Sequence, residues 1–85
     1  MNNQISNDST STSDLALATT LSLNFPILSI DKSNPRKASF IFKSDEKLQL
    51  LIQAYWAGTV RVNPQVYFNQ LRVIKSRLYE EQNAF

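Results

Sequence analysis

Between Ser44 and Gly58 the chain reads SDEKLQLLIQAYWAG, and its apolar residues Leu48, Leu51, Ile52 and Tyr55 fall at i, i+3, i+4 and i+7. That spacing puts all four on one stripe of an α-helix, and the stripe needs a core to face. Ser44 can cap the start. Asp45 and Glu46 sit in the first turn, where the helix dipole favours negative charge. Gly58, the only glycine in the chain, stands where a helix ends most readily in left-handed geometry. Asn63 and Pro64 then form a second start signal, an Asn cap followed by a proline at the first helical position. The segment therefore encodes two helices joined by a short extended connector. Residues 59–62 of that connector are candidates for a third, edge strand. The last helix is expected from Pro64 to about Glu80, with Tyr67, Leu71, Ile74 and Leu78 on one face.

Upstream the period changes. Ala38, Phe40 and Phe42 alternate with Ser39 and Ile41, as in a strand with one face on a core. Leu28 and Ile30 can supply the facing pair, and the turn formers Asp31, Ser33, Asn34 and Pro35 lie between. A β-hairpin is the natural reading, with a connection too long for a two-residue turn. Before it, STSDLALATTLSL has Ser11 and Asp14 in a capping-box arrangement, followed by Leu17, Ala18 and Leu21 at helical spacing. A short helix over about 13–22 is expected. Thr19 and Thr20 work against it, because branched side chains lose rotamer freedom in a helix. Pro26 ends it by disfavouring helical geometry at Phe25.

The first dozen residues are almost all Asn, Gln, Ser, Thr and Asp. They carry too little apolar surface to offset the entropy of ordering them. The expected organisation is a disordered tail over 1–11, one domain over 12–80 and a short tail over 81–85. A folded unit of about 70 residues is near the practical minimum for a single core.

Composition narrows the chemistry. The chain has no Cys and no His, which removes disulfides, thiolate sites, the commonest general base and the commonest metal ligand. The clustered acids, Asp45–Glu46 and Glu80–Glu81, are sequence neighbours at helix ends rather than residues converging on a cleft. One glycine cannot make a Gly-rich phosphate loop. The expectation is no enzyme, no cofactor, no metal site and no small-molecule substrate. No long apolar span or signal-like N-terminus is visible, so no membrane partner and a cytoplasmic location are expected.

Net charge of +2 conceals an asymmetry. Residues 1–31 carry net −3, whereas residues 32–77 hold all nine Lys and Arg against Asp45 and Glu46, net +7. On a helical wheel Phe68, Arg72, Lys75 and Tyr79 fall within about 60° of each other, beside the apolar stripe. Cations beside aromatics suit a strand with phosphates to neutralise and bases to stack. Lys32, Arg36 and Lys37 in the hairpin loop and Arg61 in the connector extend the basic set. Lys32, Arg36, Lys37, Arg61, Arg72, Lys75 and Tyr79 are the candidate surface for DNA or RNA. The competing assignment buries Phe68 and Tyr79 in the core and uses Arg72 and Lys75 to cover apolar surface with their stems. A different class of function uses Trp56, Val60 and Val62 to dock a protein partner or a second copy. There Trp56 lies off the main stripe and residues 59–62 offer an exposed edge.

Several of these elements recur together elsewhere. The F-x-F strand at Phe40 and Phe42, the acidic helix start at Asp45 and Glu46, and Tyr55-Trp56 closing that helix are three of them. Val62-x-Pro64 and the closing Lys75-Ser-Arg-Leu-Tyr79 complete the set. Together they resemble a small bacterial and phage family, the domain of unknown function numbered 5659, over roughly residues 12–79. The opening helix, strand and basic turn are similar as well. Asn24 departs from a usual glycine, and Ala57 from a usual polar residue after Tyr-Trp. The resemblance implies no assigned activity and transfers no catalytic residue. Its phage and mobile-element setting points by association toward nucleic acid. The combined expectation is a single α+β domain ordered α-β-β-α-(short β)-α, its hairpin packed on the last two helices.

Overall fold

The computed structural model describes residues 8–83, with side chains through Tyr79. Six elements follow one another: β1 (Ser9–Thr12), α1 (Leu15–Ser22), β2 (Ile27–Asp31), β3 (Ser39–Lys43), α2 (Glu46–Ala57) and α3 (Pro64–Asn83). The strands form one antiparallel sheet in the order β1-β3-β2. The α+β class and the hairpin are as the sequence implies.

The third strand comes from a different place than expected. Residues 59–62 are irregular connector, and the sheet is completed by Ser9–Thr12, which the polar composition assigned to a tail. Residues 9–11 therefore belong to the domain, whereas 1–7 lie outside the described residues. β1 pairs along β3 with Thr10 opposite Phe42 and Thr12 opposite Phe40. Thr10 and Thr12 are half-buried while Ser9 and Ser11 are exposed, the alternation of a strand with one wet face. A short, wholly polar strand suits an edge, because it offers neighbouring chains no apolar template. At the other end α3 continues through Asn83, so residues 81–83 are helical rather than tail.

β1 and β2 run parallel on either side of β3 and are joined through α1. This helix is short but central. Leu17, Ala18, Thr19, Thr20 and Leu21 are all buried, and α1 packs against both α2 and α3. The two threonines that argue against a helix are accommodated by turning their hydroxyls onto it. Thr19 Oγ1 donates to the Leu15 carbonyl at 2.8 Å and Thr20 Oγ1 to that of Ala16 at 2.9 Å. Among the described residues no buried side-chain N or O lacks a partner.

One core joins the layers: Leu17, Ala18 and Leu21 of α1, Phe40 and Phe42 of β3, Leu48 of α2 and Ile74 of α3. The stripes of the last two helices reach the phenylalanines through Leu48 and Ile74, with α1 supplying the rest. Ile27 and Ile30 pack against this core, and Leu28 does not; it is 56% exposed. The register explains the exchange. Ile27 pairs with Phe42 and Ser29 with Ile41, so two steps along β2 match one along β3, and Leu28 is the extra residue of a β-bulge.

The caps also move by one or three residues. Asp14, not Ser11, caps α1 by accepting from Leu17 N at 3.1 Å, and Asp45, not Ser44, caps α2 by accepting from Leu48 N at 2.9 Å. Ser44 instead shares a hydrogen bond with Thr10, tying the start of α2 to β1. At the end of α2, Gly58 has φ 75°, Gly58 N donates to the Tyr55 carbonyl and Thr59 N to that of Ala54. This is a Schellman closure in the left-handed geometry expected of the glycine. Asn63 caps α3 by accepting from Gln65 N at 2.8 Å and Val66 N at 3.1 Å.

Candidate functional site

The β2–β3 loop carries three of the candidate cations, and side chains at its start and middle hold its shape. Asp31 Oδ1 accepts from Ser33 N at 2.9 Å, and Asn34 Oδ1 from Arg36 N at 2.9 Å. Lys37 N donates to the Asn34 carbonyl at 3.2 Å, closing a β-turn with Pro35 at its second position. These bonds to the carboxylate, first from the Ser33 amide and then from its side chain, hold the Asp31 pKa below its ordinary value.

A side chain of the loop reaches the last helix. Lys32 Nζ donates to the Leu78 carbonyl at 2.6 Å, across 46 positions of sequence. Beside this bond lies a cleft of about 280 Å³ lined by Lys32, Asn34, Pro35, Arg36, Lys37, Ala38 and Leu78. Among the described residues that line it, three are cations and none is an acid. On α3, Tyr79 follows Leu78 directly and Lys75 lies one turn before it, so the expected loop and helix contributions come to one end of the molecule.

The flank of α3 leading away from that cleft is open to solvent. Phe68 is 59% exposed and Tyr79 52%, with Arg72 and Lys75 exposed between them. The two rings are therefore not core residues, and the core face of α3 is left to Tyr67, Leu71, Ile74 and Leu78. Phe68 packs edge-on to Tyr67, with centroids 6.1 Å apart. Eleven residues of helix separate Phe68 from Tyr79, about 16 Å along the axis. Arg61 is not brought to the cleft. It sits before the start of α3, about 21 Å of helix from Leu78, and its guanidinium turns back onto the Val60 carbonyl at 3.3 Å and that of Gly58 at 3.5 Å.

The second candidate set occupies the other end of α3. Trp56, in the last turn of α2, is 65% exposed, its ring edge-on to Tyr55 at 5.0 Å. Val62 is exposed and Val60 half-buried, but neither lies in a strand, so the connector offers no sheet edge there. Tyr55 is half-buried at this junction. Burial first, then the negative charges of Asp14 and Tyr67, push its phenol pKa up.

Sequence reasoning missed Asn34, Pro35 and Ala38 as cleft-lining residues, and Leu78 as the anchor for Lys32. Nothing local signals such a cleft, because it exists only once the loop meets a helix 46 positions on.

Sheet, helices and cleft together define a small single-domain α+β protein, three antiparallel strands with three helices, whose hairpin loop and last helix concentrate positive charge. The chain belongs to the domain of unknown function family DUF5659, whose model matches residues 7–80. That span begins before β1, so it takes in the strand that the resemblance over 12–79 left out. No curated protein and no solved structure matches the chain. Among the described residues no helix is long and apolar enough to cross a membrane.

Proposed function

We propose that this domain is a non-catalytic cytoplasmic module that binds nucleic acid through the hairpin loop and the adjoining flank of α3. Lys32, Arg36 and Lys37 form one half of the surface, and Arg72, Lys75 and Tyr79 the other. The observation that carries this reading is the Lys32–Leu78 bond, which holds the basic loop against the last helix one turn beyond Lys75. Arg36 and Lys37, beside Lys32 in the described lining of the cleft, favour a polyanion. The exposure of Phe68 and Tyr79 supports it further, because neither ring is needed by the core.

The test is a binding screen against single-stranded and duplex DNA and RNA at low salt. Affinity is expected to fall steeply as salt is added, and Arg72→Ala with Lys75→Ala should weaken binding while leaving the fold intact. Failure of every nucleic acid to bind at low salt overturns the proposal.

One observation favours a second reading, in which the module docks a protein partner or a second copy of itself. Among the described residues Trp56 is the most exposed large hydrophobic side chain, and Val62 lies nearby in sequence. In that case Trp56→Ala abolishes association without unfolding the domain, and a mass measurement in solution shows the complex directly.

A further inference from the structure

Four exposed side chains on one flank of α3 place two cations between two rings: Phe68, Arg72, Lys75, Tyr79. Along a duplex, base faces are stacked on one another, and a protein meets only phosphates and base edges. Two large rings pressed against that surface would gain no stacking and would displace water from phosphates. An unpaired strand offers both chemistries at once, phosphates for the cations and free base faces for the rings. Resting on the nucleic-acid reading above, we propose that the ligand class is single-stranded, with bases stacked on Phe68 and Tyr79 and the intervening phosphates held by Arg72 and Lys75.

Distances and charge fit this class. The separation of about 16 Å between the rings is roughly five times the 3.4 Å rise of stacked bases along a strand. The rings therefore hold bases several nucleotides apart rather than sandwiching neighbours. No carboxylate occurs between Phe68 and Tyr79, so nothing on that run repels the backbone. The loop cleft adjoins this run at Leu78, where Arg36 and Lys37 lie with their backbone fixed by the Asn34 turn, and the acids Glu80 and Glu81 follow Tyr79 directly. The footprint then covers about 4–8 nucleotides, within the range of sites that combine a basic track with stacking platforms. Selectivity among base sequences is expected to be weak, because every base has a face to stack.

The experiment measures binding of labelled dT12, rU12 and a 12-base-pair duplex to the whole chain by anisotropy. Wild type is compared with Phe68→Ala, Tyr79→Ala, Tyr79→Phe and Arg72→Ala. At least one single strand should bind about tenfold or more tighter than the duplex. Each ring-to-alanine change should weaken that binding about 5- to 100-fold, and Tyr79→Phe should restore it, because a phenyl ring stacks as a phenol does. The aromatic changes should leave the salt slope unaltered, whereas Arg72→Ala should reduce it by about 0.7 for one lost phosphate contact. Equal or tighter duplex binding overturns the single-strand inference and leaves the nucleic-acid reading standing. So does insensitivity to both ring substitutions while Arg72→Ala still weakens binding. Absence of binding to all three probes overturns both. Circular dichroism of each variant confirms that exposed positions were changed without loss of fold.

Discussion

α1 and α3 make opposite uses of a helix. α1 has eight residues, no charge within them, and five that are buried. α3 has twenty residues, yet among its described side chains only Ile74 is fully buried. At about 1.5 Å per residue α1 is roughly 12 Å long, too short to be stable alone, and it exists because the sheet and the two other helices surround it. α3 leaves most of its surface to solvent, where cations and aromatic rings can be displayed without disturbing the core. In this domain the shorter helix holds the fold together, and the longer one is free to carry a function.

Substitution at matched depth should expose that difference first. Leu21→Ala, at a fully buried position of α1, is expected to destabilise by about 2–5 kcal/mol. Phe68→Ala removes a larger side chain from α3 but should stay within about 0.5 kcal/mol, as surface changes usually do. Urea unfolding of both variants is the check. Comparable losses would mean that α3's exposed flank is part of the core after all.

Removing residues 1–12 tests how far the centre extends. The deletion takes away β1, its pairing with β3 and the Thr10 contacts to Ser44 and Gln49. At about 0.5–1.5 kcal/mol per net hydrogen bond, the loss is on the order of 2–4 kcal/mol. A true polar tail would leave the unfolding midpoint unchanged, and that result would return the N-terminal boundary to residue 12.

That boundary also marks where the sequence stops being readable. α2, α3 and the hairpin are legible because their apolar residues repeat with the period of the element, and Gly58 is legible because only glycine adopts φ 75° without strain. β1 has no apolar residue, so periodicity is silent there; its order comes from pairing with β3, far along the chain. The bulge at Leu28 is hidden for a related reason. Alternation tells which residues could face a core, but the pairing register decides which of them do. The caps at Asp14 and Asp45 were ambiguous because a hydroxyl and a carboxylate stand close together at both starts, and each can satisfy an orphan amide. For the candidate site, the aromatic and basic flank of α3 followed from helical spacing alone. The cleft beside it did not, because it depends on Lys32 reaching a backbone carbonyl of a distant helix. Arg61 looked equivalent to the other cations by composition and was separated from them by lying before α3, at the end of the helix away from the cleft.

Cap removal should sharpen the contrast at smaller magnitude. Asp14→Ala and Asn63→Ala each delete the side chain that satisfies amides in a first turn. Caps are worth about 0.5–2 kcal/mol, and Asp14 is expected near the top of that range because fraying α1 opens the core directly. Asn63 caps a turn whose residues are exposed, so its loss should fall near the bottom. Thermal unfolding of the two variants gives the order, and the reverse order would break the argument that α1 is the element the fold depends on.

The smallest effect lies where the two helices are linked through α2. Tyr55 is half-buried there, and its phenol is harder to ionise in the folded chain because burial, then the negative charge of Asp14, then Tyr67 all disfavour the phenolate. Its folded pKa therefore lies above the unfolded value, near 10. The sign follows: the stabilising contribution is whole below that unfolded value and is lost as pH rises through the folded one. Asp31 in the exposed loop has the opposite sign, its pKa held below 3.8 by Ser33, so its contribution is whole above that value and is lost as pH falls through the folded one. A titration followed by tyrosinate absorbance should show one phenol ionising late. Asp14→Asn, which removes the negative charge at the α1 cap while keeping an oxygen to accept from Leu17, should bring that phenol earlier. If Asp14→Asn leaves the late phenol where it was, the charge at the start of α1 is not felt at Tyr55. Burial and Tyr67 would then account for the shift at the point where α1, α2 and α3 come together.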